Sequence, residues 1–105
     1  MNEPIAERFV ERTGALKARI RTVTLFGSRA RGDDRPDSDY DLLLVVADDF
    51  TLAEKSRLYD VVMEILLETG RLVSLKIFKE KEFERLRLLE TPFITNVLRE
   101  GIRVG

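Results

Sequence analysis

The chain has 105 residues, of which 44% are hydrophobic and 35% are charged, and its formal net charge at pH 7 is -1. This length suits one domain, 1–105, with a single core, and the nearly balanced charge gives no reason to expect strong general binding to nucleic acid. The sequence has no cysteine and no histidine, which excludes disulfides, thiolate metal sites and a histidine general base. We see no signal peptide and no apolar run of membrane-spanning length, so we expect a cytoplasmic protein without membrane contact.

A helix and a short strand are predicted to begin the chain. Residues 4–20 predict the helix, because Pro4 suits a first turn and apolar residues recur near helical spacing. Residues 21–26 contain β-branched residues in a short run and predict a strand that ends at Gly27.

Gly27 and Ser28 form the first candidate site. Glycine lets the backbone approach a ligand closely, and a helix that starts just after it would direct free N–H groups and a positive dipole end at an anion. The Ser28 hydroxyl is a further donor. The pair therefore predicts a phosphate-binding turn, with an ordinary turn that binds nothing as the alternative.

Asp39 and Asp41 open the next predicted strand, after a polar loop at residues 32–38. Residues i and i+2 of a strand point to the same face, so the two carboxylates should lie side by side. Their repulsion would be relieved by a hard divalent cation such as Mg²⁺, which prefers oxygen ligands. Residues 42–46 continue without a polar side chain, which is typical of a strand covered on both faces, so this strand should be central in its sheet.

The middle of the chain predicts a long helix and a third strand. Thr51 and Glu54 form a capping-box pattern at the start of the helix, and Gly70 is expected to end it. Residues 72–78 alternate as a strand with one apolar face and one mixed face.

Two more helices are predicted before the chain ends. Residues 80–90 predict a helix with a solvated outer side. Thr91 and Pro92 are typical of the start of the last helix, with Gly101 just past its end, and residues 102–104 predict a short extended segment. The apolar face of the last helix would be formed by Phe93, Ile94, Val97 and Leu98.

The two candidate sites together resemble the signature of a known family. Gly27-Ser28, ten intervening residues and then Asp39-x-Asp41 resemble the GS-x10-DxD pattern of the polymerase-beta-like nucleotidyltransferase superfamily. The segment GSRARG…SDYDLLLVV is most similar to its small branch of minimal nucleotidyltransferases. The resemblance implies an antitoxin encoded beside a helical HEPN-domain ribonuclease toxin, and in some members the transfer of AMP onto a tyrosine of that partner.

The resemblance also implies roles for individual residues. Asp39 and Asp41 would be the catalytic pair and would ligate Mg²⁺, with Mn²⁺ as an alternative. Gly27 and Ser28 would hold the β- and γ-phosphates of ATP or another nucleoside triphosphate.

Three basic residues are further candidates for the nucleotide site. Arg29 and Arg31 are expected to contact phosphate or a partner, because guanidinium fits phosphate geometry; surface salt bridges are the alternative. Lys76 is predicted to neutralise the carboxylate pair or to contact a phosphate, so that Lys76→Ala should weaken nucleotide binding. The alternative for Lys76 is an edge-strand surface lysine.

One position departs from the family pattern. Active members carry another carboxylate on the third strand, and the corresponding position in this chain is predicted to be Ser74. Serine ligates Mg²⁺ weakly and is not a useful base near neutral pH, so the chain offers no obvious general base.

The fold implied by the resemblance is α+β. We expect a nucleotidyltransferase fold with a small mixed β-sheet of about three to four strands, the Asp39 strand in its centre and helices packed on one side. So small a domain leaves one wall of the cleft open, and a protein partner or a second copy in a homo- or hetero-oligomer is expected to close it.

Three functional hypotheses follow. The first is a Mg-dependent nucleotidyltransferase that moves a nucleoside monophosphate, expected to be AMP, to a hydroxyl on a partner protein in a toxin-antitoxin system. The second is a catalytically degenerate antitoxin that neutralises a HEPN-type toxin by contact. The third, transfer to a small molecule such as an aminoglycoside, is disfavoured because no second domain is present to form the acceptor pocket. The intact GS-x10-DxD pattern favours the enzyme, whereas the missing third carboxylate favours the binding subunit.

Overall fold

A four-stranded mixed sheet forms the centre of the computed structural model, which describes residues 3–105. The strands stand in the spatial order β3-β2-β1-β4, with β1 antiparallel to both of its neighbours and β2 parallel to β3. Asp39 directly precedes β2, so the strand it opens is internal, as predicted. Met1 and Asn2, at the start of the predicted domain 1–105, lie outside the described residues. The strands are β1 (Ile20–Phe26), β2 (Tyr40–Val46), β3 (Val73–Lys79) and β4 (Ile102–Arg103).

Residues 3–105 also form five α-helices, of which the first precedes β1 and the other four lie between strands. The helices are α1 (Pro4–Arg12), α2 (Ser28–Arg31), α3 (Leu52–Thr69), α4 (Glu80–Leu88) and α5 (Pro92–Glu100). Within residues 3–105, none of them has the length and apolar character that crossing a membrane requires.

The first helix is shorter than the sequence predicts. α1 ends at Arg12, and the chain continues to β1 as a 3-10 helix over Gly14–Arg19. Gly14 adopts a φ of +56°, a left-handed conformation that interrupts α-helical hydrogen bonding and that glycine tolerates readily. The predicted single helix over residues 4–20 is therefore wrong beyond its first nine residues.

Helices cover both faces of the sheet. Leu42 and Leu44 of β2 belong to a core with residues of α1 and α3, whereas Leu43 and Val45 point to the opposite face. On that second face they pack against Ile94 and Val97 of α5 and against side chains of α4. The α+β class with a mixed sheet is confirmed, but the placement of the helices on one side is wrong. The uninterrupted apolar run of β2 requires a cover on each side, because alternate residues face opposite ways.

The caps of α3 fix the crossover between the two parallel strands. The Thr51 hydroxyl accepts a hydrogen bond from the Glu54 N–H at 3.1 Å, and the Thr51 N–H donates to the Glu54 carboxylate at 2.8 Å. Gly70 ends the helix in the left-handed conformation, with a φ of +72°. Both predicted ends of this helix are confirmed. The crossover brings β3 alongside β2 in a register that pairs Asp41 with Ser74.

Candidate active site

The first wall of the site is the turn at Gly27, where β1 ends and α2 begins. Gly27 has φ +77° and ψ -157°, a backbone conformation essentially restricted to glycine. Its carbonyl accepts hydrogen bonds from the N–H groups of Ala30 and Arg31, both at 3.1 Å, and so starts the helix. A Cβ at this position would lie 2.5 Å from Oδ2 of Asp41. The glycine turn and the second aspartate are therefore in direct contact.

Asp39 and Asp41 present their carboxylates at the same end of the sheet. Asp41 lies between Phe26 of β1 and Ser74 of β3 in the strand register and is half-buried, whereas Asp39, one residue before β2, is exposed. Burial raises the pKa of the Asp41 carboxyl, and the nearby Asp39 carboxylate raises that pKa further.

Two cations lie close enough to oppose this repulsion. Lys76 and Arg31 both act to lower the pKa of Asp41, although burial and Asp39 prevail. Each cation therefore lies within electrostatic range of Asp41.

The acidic pair suits a hard divalent cation. Mg²⁺ is commonly held by one or two carboxylates and takes its remaining ligands from substrate phosphates and water. Within residues 3–105, no third acidic side chain joins Asp39 and Asp41 in a metal-binding group. The residues present fit a magnesium ion that is bound together with a polyphosphate, and they would supply two carboxylate groups to it.

The third strand brings a hydroxyl and an amine to the same face. Ser74 pairs with Asp41, and Lys76, two residues on, pairs with Leu43. Ser74 is partly buried and Lys76 is exposed. The predicted roles of Ser74 and Lys76 stay predictions, and their positions beside Asp41 are compatible with them.

The Arg29 side chain is mostly buried and makes contacts with the loop that follows α2. Its guanidinium donates to the Ser38 carbonyl at 2.8 Å and 3.2 Å, pairs with Asp34 at 2.9 Å, and lies 4.1 Å from the centre of the Tyr40 ring. Only 11% of its side chain is exposed. The Arg29 guanidinium therefore helps to hold the loop that leads to Asp39, and its predicted contact with phosphate or a partner stays a prediction.

Arg31 is placed differently and borders an open cavity. Its side chain is 45% exposed and lies 3.3 Å from an Asp33 oxygen and 3.6 Å from a Glu100 oxygen. The cavity has a volume of about 240 Å³ and adjoins Gly27. Its wall is formed by Phe26, Gly27, Arg31, Phe93, Asn96, Val97 and Glu100.

Sequence reasoning missed the contribution of α5 to this cavity. The sequence predicts one apolar face of the last helix with Phe93, Ile94, Val97 and Leu98. Ile94 and Val97 are buried, but Phe93 is 40% exposed and Leu98 is 56% exposed. The partial exposure of Phe93 beside the Gly27 turn depends on the tertiary structure, so no pattern in the sequence could have indicated it.

The fold and this site define a nucleotidyltransferase, and the chain belongs to the family described as Polymerase beta, Nucleotidyltransferase, which matches residues 10–104. Two proteins of Methanocaldococcus jannaschii, each named "Putative protein adenylyltransferase", are 35% identical to this chain. The alignment with one spans 89 residues, or 85% of this chain and 83% of the relative. The alignment with the other spans 105 residues and 96% of both chains.

A solved structure shares the fold at lower identity. The crystal structure of a toxin-antitoxin with AMP-PNP superposes on the whole of this chain, and on 73% of that chain, with a TM-score of 0.59 and 16% sequence identity. The likeness establishes a common fold for the two chains.

Proposed function

We propose that this protein is a Mg²⁺-dependent nucleotidyltransferase that moves AMP from ATP to a hydroxyl group on a partner protein. The observation that carries the proposal is the contact between the Gly27 turn and the carboxylate of Asp41, with Asp39 beside it. A phosphate-binding turn and a pair of metal-binding carboxylates this close can hold one polyphosphate between them.

The substrate would lie across the end of the sheet between β1 and β2. Because Gly27 has no side chain, the Asp41 carboxylate lies directly against the turn, so a metal ion on Asp41 and the turn could share one polyphosphate. The Ser28 hydroxyl would donate to its β- and γ-phosphates. Mg²⁺ held by Asp39 and Asp41 would neutralise charge on the triphosphate. Lys76 would offset the remaining negative charge, since it already lies within range of Asp41.

In the proposed reaction the acceptor oxygen forms a bond to the α-phosphorus. The bond from that phosphorus to the bridging oxygen breaks, pyrophosphate leaves and the hydroxyl proton passes to water. This chain supplies positioning and charge complementarity, which account for most catalysis of this kind. Ser74, next to Asp41, is a poor base near neutral pH.

A protein acceptor is supported by the names of the two Methanocaldococcus relatives and by the openness of the site. Asp39 and Lys76 are exposed, so the side of the site beyond them is free for an incoming surface. We infer that the chain is an antitoxin and that its partner is a helical HEPN-type toxin. The likeness to the toxin-antitoxin structure supports a toxin as the partner.

A second candidate is an antitoxin that has lost turnover. The absence of a third acidic side chain from the Asp39 and Asp41 group, across the described residues 3–105, favours it. Such a protein would neutralise its partner through contact, whether or not it binds nucleotide.

The experiment for transfer uses ATP labelled at the α-phosphate, the purified partner and either Mg²⁺ or Mn²⁺. We expect label on the partner, loss of label with Asp41→Asn, and normal labelling with Asp60→Asn. Asp60 is an exposed control carboxylate on α3, which packs on the other face of the sheet. If the natural protein transfers no label to the partner with either metal, the proposed transferase activity is refuted.

An assay of toxin neutralisation distinguishes the two candidate functions. If the double variant Asp39→Ala/Asp41→Ala still neutralises the toxin, contact alone is sufficient and the second candidate holds. Restoring a carboxylate with Ser74→Asp provides an independent check, since a rise in transfer from near zero would identify the natural protein as degenerate.

A further inference from the structure

The cavity beside Gly27 adjoins the proposed phosphate site. It lies between the end of β1, the start of α2 and the outer side of α5, and it has a volume of about 240 Å³. We propose that this cavity holds the base of the bound nucleotide and that it selects a purine. The inference rests on the proposed function, because it requires a nucleotide whose phosphates lie at Gly27 and Ser28.

The position of the cavity favours the nucleotide over the acceptor. Gly27 lines the cavity and also touches the carboxylate of Asp41, so the two spaces share a wall. In an in-line displacement the acceptor and the leaving pyrophosphate lie on opposite sides of the phosphorus. With pyrophosphate held at Gly27 and Ser28, the acceptor approaches from the Ser74 side, which leaves the cavity for a group on the nucleotide itself.

The size of the cavity fits a base and not a whole nucleotide. Sites that enclose complete small ligands usually measure about 300–1,000 Å³. A cavity of about 240 Å³ is smaller than that range and accommodates one planar ring system, with sugar and phosphates outside. The phosphates would then lie at the Gly27 turn.

The Phe93 ring offers a stacking surface. Phe93 packs edge-on against Phe26, with ring centres 5.5 Å apart and an interplanar angle of 87°. Phe93 is also 40% exposed, so part of its ring is available to a ligand. Aromatic side chains stack on any base and gain more from the larger purine surface.

Polar groups at the rim match the edge of a base. The Asn96 side-chain oxygen accepts a hydrogen bond from Arg99 at 2.9 Å, which leaves its Nδ2 group as the donor for a ring nitrogen. Glu100 lines the same cavity and can accept from an exocyclic amine; it also pairs with Arg31, another wall residue, at 3.6 Å.

The test compares a nucleotide with a ligand that has no base. Calorimetry with Mg²⁺ measures the affinity of the natural protein for ATP, GTP, CTP, UTP and inorganic tripolyphosphate. We expect Phe93→Ala to weaken ATP or GTP roughly tenfold, within a range of about fivefold to a hundredfold, and to leave tripolyphosphate unchanged. Phe93→Tyr keeps the ring and should retain most of the affinity. Leu98→Ala is the matched control, because Leu98 is an exposed apolar residue of α5 that does not line the cavity.

The possible outcomes distinguish this inference from the proposed function. If tripolyphosphate binds and Phe93→Ala leaves ATP and GTP affinity unchanged, the base lies elsewhere and only the cavity assignment fails. If the natural protein binds CTP and UTP as tightly as the purine nucleotides, the selection of a purine is refuted. If neither ATP nor tripolyphosphate binds, the proposed function fails and the cavity assignment fails with it. Thermal unfolding of each variant identifies any that lose affinity because they do not fold.

Discussion

Adding one methyl group at Gly27 should lower the stability of the protein and weaken the proposed metal site. In Gly27→Ala the new Cβ would lie 2.5 Å from Oδ2 of Asp41, so the carboxylate must move. The backbone at φ +77° and ψ -157° is also strained for any residue with a side chain, at a cost of about 1–3 kcal/mol. For a domain of this size each kcal/mol lowers the melting temperature by roughly 4–8 °C.

Gly32→Ala provides a control with a similar backbone and no neighbour. Gly32 follows α2 at φ +82° and ψ 11°, and a Cβ there would meet no atom within 4 Å. We expect a loss of about 1–2 kcal/mol from the left-handed conformation alone. Because the Asp41 carboxylate is untouched, Mg-ATP affinity measured by calorimetry should match that of the natural protein.

A double-mutant cycle isolates the contact with Asp41. In an Asp41→Ala background the Oδ2 atom is absent, so Gly27→Ala should cost only its backbone strain. The resulting coupling energy in urea denaturation should fall within about 0.5–3 kcal/mol, as for other residues in contact. Normal Mg-ATP binding by Gly27→Ala, or additive unfolding energies in the cycle, would refute the reasoning.

Two further predictions concern charged side chains, one at Asp41 and one in the loop that leads to Asp39. Folding raises the pKa of Asp41. Between the unfolded and folded pKa values, the native state therefore binds more protons than the unfolded state. The free energy of unfolding falls as the pH rises through that interval. Asp41→Asn should therefore stabilise the metal-free protein at pH 7, with a gain that shrinks as the pH falls through the raised folded pKa of Asp41 and is lost below its unfolded pKa of about 4. A gain independent of pH in thermal unfolding would contradict this. Arg29→Ala removes charged hydrogen bonds to the Ser38 carbonyl and the stacking on Tyr40, and should cost roughly 2–4 kcal/mol in urea denaturation. Arg29→Lys should not restore the loss, since lysine lacks the planar fork, and a change below about 0.5 kcal/mol in Arg29→Ala would show that the loop does not depend on it.

Features set by neighbouring residues could be predicted from the sequence. The capping box at Thr51 and the left-handed end at Gly70 involve contacts within a few positions, and both are present. The central position of the Asp39 strand follows from its uninterrupted apolar run, since such a strand needs neighbours and a cover on each face.

Features that depend on distant packing could not be predicted in this way. Arg29 reaches Ser38, nine positions away, only because the intervening loop folds back over α2. The exposure of Phe93 depends on how α5 crosses the end of β1, where it packs edge-on against Phe26.

The short strand β4 determines where the chain leaves the sheet. Ile102 pairs with Leu25 near the Gly27 end of β1, and by Gly105 the chain has reached Val23, whose N–H donates to the Gly105 carbonyl at 2.9 Å. At about 3.3 Å per residue, Val23 is roughly 13 Å from Gly27 along the strand. A fluorophore on a side chain introduced at position 105, which is exposed, would therefore lie beside the middle of β1. Such a label could report on ligand uptake at the Gly27 turn without covering that turn.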